Sequence, residues 1–188
     1  MHTDKLIILG RDGVLNRYRS DHVKSAVEWE PLPGALDALA RITQSGWHAV
    51  VATNQEGIGR GVVDMTSVNA IHQRMIKAAQ AAGGRIDAVF LCPHAPEEKC
   101  DCRKPQPGLI LQIAKRYNAT LSKVPLLCDN PRDLLAAQAA GCQPHLICTG
   151  RSAVLSTEQI QALIAPVPHT RVHTDLSAFA DFLLQQKA

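Results

Sequence analysis

Short apolar runs alternate with segments of helical periodicity along most of this 188-residue chain, and this alternation limits the folds available to it. Apolar runs that predict β-strands occur at 5–9, 47–53, 86–92, 124–128 and 145–149, with a shorter edge strand at 171–174. Helical patterns occur at 34–44, 66–82, 108–117, 132–140 and 176–186, with a short helix after 157. Strands that alternate with helices predict an α/β fold, in which a central parallel sheet is covered by helices on both faces.

Length and composition narrow the possible classes of function. A chain of 188 residues predicts a single domain, 1–188, with 151–188 as its C-terminal extension. The formal net charge of +3 and the aromatic content of 4% do not supply the basic runs and stacking side chains of nucleic-acid binding. The sequence contains neither an apolar segment that could span a bilayer nor a signal-peptide pattern at its start. We therefore expect a cytoplasmic protein that binds neither nucleic acid nor membrane.

Polar residues follow the predicted strands at the points where those strands end. They are Arg11 and Asp12 after Gly10, Thr53 and Asn54, Arg103 and Lys104 in a later loop, and Asp129 and Asp133. Because the carboxyl ends of parallel strands share one edge of the sheet, these side chains are expected to converge there. Carboxylates, a hydroxyl and cations in one place suit a magnesium–phosphate site. Taken alone, Asp129 and Asp133 also fit a helix start, where carboxylates favour the helix dipole.

A loop rich in proline and cysteine carries two pairs of metal-binding residues, Cys92 with His94 and Cys100 with Cys102. Three thiolates and one imidazole give the closed tetrahedral coordination of a structural zinc ion. We therefore predict a zinc-binding loop at 92–102, since a metal can order a loop with little apolar material. The alternative is a surface loop with free thiols. Core packing is the better interpretation of the remaining cysteines, Cys128, Cys142 and Cys148.

These motifs, in this order, resemble the haloacid dehalogenase (HAD) superfamily of phosphotransferases. More closely, the chain resembles the D-glycero-D-manno-heptose 1,7-bisphosphate 7-phosphatase family, which is related to histidinol-phosphate phosphatases. The matching segments are 11–16, 23–25 with Trp29, 33–34, 53–55, 57–58, 60–61, 92–94, 100–105, 107–108 and Asp129 with Arg132 and Asp133. The resemblance covers about 5–150 and implies a Rossmann-like HAD fold without a large cap domain. The loops at 10–33 and 93–107 would then shape the opening of the site.

The resemblance also implies roles for the residues that would contact the transferred phosphate. In such enzymes an aspartate at the end of the first strand attacks phosphorus, and here that position is Gly10. Asp12 matches the general acid/base, and Thr53 and Asn54 match phosphate-binding positions. Lys104 matches the cation that neutralises the nucleophile and the phosphate.

Further roles concern the sugar and the metal ion. Arg103 matches a substrate contact, and Arg60 would face the sugar phosphate or its loop. Asp129 matches a ligand of Mg²⁺, together with the backbone carbonyl of Asp12, and Asp133 matches an outer-shell carboxylate. The resemblance therefore implies two ions, a structural Zn²⁺ and a Mg²⁺. The loss of an aspartate ligand weakens the binding of the Mg²⁺.

Three positions depart from the family pattern near the expected site. Gly10 replaces the nucleophile, Glu56 stands where a small residue is usual, and Cys128 replaces the glycine before the metal-binding aspartate. One hypothesis is therefore an active, Mg²⁺-dependent heptose-bisphosphate phosphatase that carries a change at Gly10. The other is a pseudoenzyme, inactive or severely impaired, that binds a sugar phosphate or a protein partner. In either case we expect a monomer with a small-molecule sugar phosphate as ligand.

Overall fold

The computed structural model describes residues 5–185, which form a six-stranded parallel sheet with helices on both faces. The strands are β1 Leu6–Leu9, β2 His48–Asn54, β3 Ala88–Cys92, β4 Pro125–Cys128, β5 Gln143–Ile147 and β6 Arg171–His173. The helices are α1 Ala35–Gln44, α2 Glu56–Gly59, α3 Met65–Ala81, α4 Gly108–Tyr117, α5 Pro131–Ala140, α6 Thr157–Ile164 and α7 Leu176–Gln185. The strand order is β3-β2-β1-β4-β5-β6, so the predicted α/β fold is confirmed.

Strand β1 lies in the middle of the sheet and is buried on both faces. It pairs with β2 on one side, where Leu6 lies opposite His48, and with β4 on the other. Side chains alternate along a strand, so Leu6 and Ile8 enter one core while Ile7 and Leu9 enter the other. This burial explains why the strand is a continuous apolar run rather than an alternating one.

The helices divide between the two faces according to their apolar stripes. Helices α1, α3 and α7 supply side chains to one core, in which α7 packs against α1. Helices α4 and α5 supply the other core, and α6 packs against its border. Phe179 of α7 is fully buried in the first core. The prediction of a single domain stays a prediction, and this packing of the C-terminal helix supports it.

The long loop after β1 folds over the strand ends instead of forming a separate cap. Its Trp29 is only 1% exposed and belongs to the core beneath α1 and α3. The backbone amide of Leu32 donates to the carbonyl of Leu15 at 2.9 Å, and that of Gly13 donates to Asn16 at 2.7 Å. These contacts hold the start of the loop close to the end of β1.

Strand β5 and helix α2 differ most clearly from the sequence prediction. Strand β5 begins at Gln143 and ends at Ile147, two residues earlier than predicted, and it includes Pro144 in register with Leu126 of β4. Helix α2, a single turn of four residues, was not predicted. The first difference arises because a polar residue and a proline conceal the start of the strand in the sequence.

Within residues 5–185, no helix combines the length and the apolar character that crossing a membrane requires.

Candidate active site

The ends of β1 and β2 and the loop before α4 meet at one edge of the sheet. Six of the residues predicted for the site line one small cavity there: Gly10, Asp12, Thr53, Asn54, Lys104 and Asp133. The Asn54 side chain fixes the loop that carries Lys104 to the end of β2. Its Nδ2 donates to the Lys104 backbone carbonyl at 3.0 Å, and its Oδ1 accepts from the Lys104 backbone amide at 3.1 Å. The predicted convergence of the strand ends is therefore present in the structure.

Gly10 continues β1 by one residue and is buried. Its amide donates to the carbonyl of Leu127 in β4 at 2.8 Å. A Cβ at this position would lie 3.2 Å from Val14 Cγ2 and 3.4 Å from the Leu127 carbonyl oxygen. Because the nearest of these atoms is a side-chain methyl, a small shift of Val14 would admit a larger residue. The backbone at Gly10 therefore does not itself demand a glycine.

The Asp12 carboxylate is held by a buried arginine and two amides. Arg11, only 1% exposed, donates from Nη2 to both carboxylate oxygens at 3.0 Å. Asn16 donates at 2.9 Å and Gln55 at 3.2 Å. Burial alone would raise the pKa of Asp12, but the charge of Arg11 and these hydrogen bonds outweigh it and lower the pKa. Asp12 is thus held as a carboxylate, which accepts a proton more readily than it donates one.

His72 lies behind this pair and contacts Arg11. Its Nε2 is 3.1 Å from Nη1 of Arg11. Burial and the charge of Arg11 lower the pKa of His72 to about 4. A neutral imidazole can accept the guanidinium hydrogen, and it gives the buried Arg11 a second partner besides Asp12.

Thr53 is the last residue but one of β2, and its side chain is buried at the cavity. Its hydroxyl oxygen accepts a hydrogen bond from Nε2 of Gln55 at 2.7 Å. A hydroxyl that accepts in this way can still donate its own hydrogen, for example to a phosphoryl oxygen. This geometry suits the phosphate-binding role predicted for Thr53.

Lys104 and Asp133 form an ion pair that is buried from solvent. The Lys104 ammonium also donates to the carbonyl of Ala52 at 2.8 Å. Asp133 lies in the first turn of α5, where Asn130 caps the helix by accepting from the Asp133 amide at 3.1 Å. Burial tends to raise the pKa of Asp133, but the charge of Lys104 outweighs it and the pKa is lowered. Asp133 is therefore an ionised partner of the buried Lys104.

Asp129 is engaged by a residue that the sequence did not single out, Arg151. Nη1 of Arg151 lies 2.8 Å from Oδ1 and 3.1 Å from Oδ2 of Asp129, and the Arg151 amide donates to Oδ2 at 2.8 Å. The guanidinium carbon lies 3.8 Å from the centre of the Tyr18 ring. Burial would lower the pKa of Arg151, but the charge of Asp129 outweighs it and raises the pKa. Burial raises the pKa of Asp129, and the charge of Arg151 offsets only part of this rise.

Two glycines allow this close packing around Asp129. A Cβ on Gly13 would lie 1.9 Å from Oδ2 of Asp129, and one on Gly150 would lie 2.3 Å from the same oxygen. Gly13 has a φ of +83°, a backbone conformation that also favours glycine. The Thr149 hydroxyl ties the two segments together by donating to the Gly13 carbonyl at 2.6 Å.

The two arginines expected to contact substrate lie outside the lining of the small cavity and face glutamates. Arg103 pairs with Glu56, one of the three departures from the family pattern. Arg60 lies 3.8 Å from Glu56 and 3.6 Å from Glu97. Burial tends to raise the pKa of Glu56, but the charges of Arg103 and Arg60 outweigh it and lower the pKa. Glu56 is therefore an ionised partner that offsets cationic charge beside the site.

The four predicted zinc ligands form a cluster beside this edge of the sheet. One ligand atom from each of Cys92, His94, Cys100 and Cys102 lies within 4.8 Å of the other three. Nδ1 of His94 is 3.5 Å from Sγ of Cys92 and 3.3 Å from Sγ of Cys102. Bonds of about 2.0–2.3 Å to a tetrahedral ion imply ligand–ligand distances of about 3.3–3.8 Å. The cluster therefore has the donors and the spacing for a tetrahedral metal ion, and its loop leads directly into Arg103.

Comparison with known proteins identifies the lineage of this site. The chain is 48% identical to the D-glycero-beta-D-manno-heptose-1,7-bisphosphate 7-phosphatase of Bordetella bronchiseptica, over 97% of this chain and 99% of that protein. The chain belongs to this phosphatase family. It is also 41% identical to the corresponding protein of Pseudomonas aeruginosa, over 96% of this chain and 98% of that protein.

Family models and solved structures agree with this membership. A model described as polynucleotide kinase 3 phosphatase matches residues 6–132, and one described as HAD-hydrolase-like matches residues 101–179. The D,D-heptose 1,7-bisphosphate phosphatase of B. bronchiseptica, solved with magnesium and phosphate, aligns with a TM-score of 0.90 at 48% identity, over 97% of this chain and 99% of that one. The D,D-heptose 1,7-bisphosphate phosphatase of Burkholderia thailandensis aligns with a TM-score of 0.72 at 42% identity, over 95% of this chain and 98% of that one. The predicted family is therefore confirmed.

Sequence reasoning missed three residues beside the candidate site. Arg151, Tyr18 and His72 carry no recognisable motif. Arg151 contacts Asp129, Tyr18 contacts Arg151, and His72 contacts Arg11. Arg151 lies immediately after Thr149-Gly150, at the end of the segment that follows β5. That position, beyond the carboxyl end of a strand, was the one available signal.

The buried Lys104–Asp133 pair gives a test of how the site is held together. Asp133→Asn leaves the Lys104 ammonium buried without its carboxylate, which should lower the free energy of unfolding at pH 7 by about 3–5 kcal/mol. The control Asp181→Asn removes only a surface ion pair with Arg41, which is worth at most about 1 kcal/mol. Urea unfolding of both variants and the native chain measures the difference.

The pH dependence of this effect has a defined sign. Because the pKa of Asp133 is lowered from its ordinary 3.8, its stabilising contribution is complete above that pH and is lost as the pH falls through the folded-state pKa. The gap between the native chain and Asp133→Asn should therefore narrow below about pH 4. Equal unfolding free energies for Asp133→Asn and Asp181→Asn at pH 7 would contradict the proposed pairing.

Proposed function

We propose that this chain binds a sugar phosphate in the site of a heptose-bisphosphate phosphatase but does not carry out covalent phosphatase turnover. The observation that carries the proposal is Gly10, which occupies the end of β1 where the family resemblance implies the nucleophilic aspartate. A glycine has no side chain to attack phosphorus. The removal of a covalent nucleophile lowers turnover by about 10⁴–10⁶ in comparable enzymes, or about 5–8 kcal/mol of barrier.

Neighbouring groups are poor substitutes for the missing nucleophile. The Cys128 thiol is fully buried in β4 and lies 3.5 Å from the Asn130 carbonyl oxygen and 3.8 Å from that of His145. Burial raises the pKa of this thiol well above its ordinary value, so it is not a thiolate. Asp12 is engaged by Arg11, Asn16 and Gln55. An ionised Asp12 could act as a base toward water, so direct hydrolysis by water is the most activity that we expect this chain to retain.

The ligand is inferred from the groups that line the cavity. Thr53, Asn54 and Lys104 offer a hydroxyl, an amide and a cation close together, a combination that suits a phosphoryl group. The relatives that this chain resembles are named for heptose 1,7-bisphosphate, and the sugar phosphate comes to this chain from that similarity. Glu56 offsets the charge of Arg103, so we expect the phosphate at the far end of such a sugar to be held less firmly.

Phosphate release from heptose 1,7-bisphosphate tests the absence of turnover. In buffer with Mg²⁺, the native chain should release phosphate no faster than Gly10→Asn. Asparagine is similar in size to aspartate but supplies no nucleophilic carboxylate. Gly10→Asp restores the carboxylate and should exceed Gly10→Asn by at least about tenfold. Both variants require a small shift of the Val14 side chain, whose Cγ2 would lie 3.2 Å from the added Cβ.

Turnover by the unmodified chain at the rate of Gly10→Asp would overturn the proposal and favour the active enzyme. Release that stays at background in Gly10→Asp would show that other features, such as Glu56, Cys128 or the contact of Arg151 with Asp129, also disable the site. A thermal unfolding curve for each variant serves as the control for folding.

We further propose that Cys92, His94, Cys100 and Cys102 hold a structural Zn²⁺, because their donor set and spacing suit a closed tetrahedral site. The ion would fix the loop that presents Arg103 and Lys104. Cytoplasmic location and a monomeric state stay predictions.

Elemental analysis of the purified chain tests the zinc site directly. We expect about one zinc per chain, and loss of the metal in Cys102→Ser. The matched control, Cys142→Ser, changes a buried cysteine outside the cluster and should keep the zinc. A native chain that contains no metal while its cysteines are reduced would refute the site.

A further inference from the structure

Two features of this chain disagree with the magnesium site that the family resemblance implies. Gly10 contributes no carboxylate, and the carboxylate of Asp129 is already in contact with three hydrogen-bonding groups. Its Oδ1 lies 2.8 Å from Nη1 of Arg151 and 2.9 Å from Nδ2 of Asn130, while Oδ2 accepts from the Arg151 amide at 2.8 Å. Protein sites for Mg²⁺ use free carboxylate oxygens in an octahedral shell. The residues present therefore do not fit the ion in the way that the family resemblance implies.

The charges of the two arrangements balance in different ways. An aspartate at position 10, Asp129 and a divalent cation would together be neutral. In this chain Asp129 and the single positive charge of Arg151 are neutral as well. The loss of one carboxylate at Gly10 therefore matches the replacement of a divalent cation by a monovalent one.

Arg151 is fixed at this position rather than mobile on the surface. Its backbone amide and its guanidinium both bind Asp129, and the guanidinium stacks on Tyr18 at 3.8 Å. The side chain is nevertheless 33% exposed, and it lines the same cavity as Asp12, Thr53 and Lys104. A guanidinium carries five N–H donors in a planar fork, so contact with Asp129 leaves donors that can face a phosphate oxygen.

We propose that the guanidinium of Arg151 takes the place of Mg²⁺ in this chain, so that the site binds a phosphate group without a metal ion. This inference rests on the proposed function, since it concerns the same phosphate-binding cavity. Arg151 acts here as a binding residue that contacts Asp129 and offers its remaining donors to the phosphate. The arrangement holds a phosphate group and supplies no nucleophile.

Calorimetric titration with inorganic phosphate tests this inference without depending on catalysis. The native chain is titrated once in EDTA and once in about 5 mM Mg²⁺. The two dissociation constants for phosphate should agree within about twofold. Arg151→Gln removes the charge and should bind phosphate at least about tenfold more weakly in EDTA. Arg151→Lys keeps the charge and should bind with intermediate affinity. The control Arg17→Gln removes an exposed arginine that pairs with Glu30 and should bind like the native chain.

A second variant reverses both changes together. Gly10→Asp combined with Arg151→Gln provides two carboxylates with no arginine between them. Its phosphate binding should be strengthened at least about tenfold by Mg²⁺, in contrast to that of the native chain. This gain confirms that the assay detects a metal-dependent site when one is present.

The possible outcomes separate this inference from the proposed function. Phosphate binding by the native chain that Mg²⁺ strengthens tenfold would overturn the inference and leave the proposed function intact. Undiminished binding by Arg151→Gln in EDTA would also overturn it, because Arg151 would then serve only to hold its loop. Failure of the native chain to bind phosphate in either buffer would overturn the proposed function itself.

Discussion

The parallel pairing of β1 with β2 and with β4 brings the chemistry of this molecule to one place. Parallel strands end at the same edge of a sheet, so residues distant in sequence meet beyond their carboxyl ends. Asp12, Thr53 and Asp129 come from three adjacent strand ends, and Lys104 is tied to the second of them by Asn54. A change at one strand end therefore acts directly on groups carried by its neighbours.

Charge compensation is the common property of this edge. The carboxylate of Asp12 pairs with Arg11, that of Asp129 with Arg151, and that of Asp133 with Lys104. Each pair is at least partly removed from water, where an unpaired charge would be costly. The site is thus electrostatically complete with Gly10 in the nucleophile position. We propose that the phosphatase scaffold keeps its cavity, while the groups that would attack phosphorus and hold a metal are replaced or engaged.

Local patterns were sufficient for most of the fold and for the predicted members of the cavity. Helix α4, Gly108–Tyr117, was predicted with its observed bounds, because its apolar period and its flanking residues are clear. The ion pairs that engage Asp129 and Arg103 were not predictable in the same way. Arg151 lies 22 positions from Asp129, and Arg103 lies 47 from Glu56. Such pairings depend on how whole elements are placed, and neither periodicity nor motif spacing encodes them.

The central claim is that an internal arginine and a glycine have replaced a metal ion and a nucleophile in a phosphatase site. The most direct measurement is a crystal structure of the native chain grown with phosphate and Mn²⁺, a stand-in for Mg²⁺ whose anomalous scattering locates it. The account predicts phosphate in contact with the guanidinium of Arg151 and no manganese peak within bonding distance of Asp129. A manganese ion bonded to Asp129, with Arg151 displaced from it, would contradict the account.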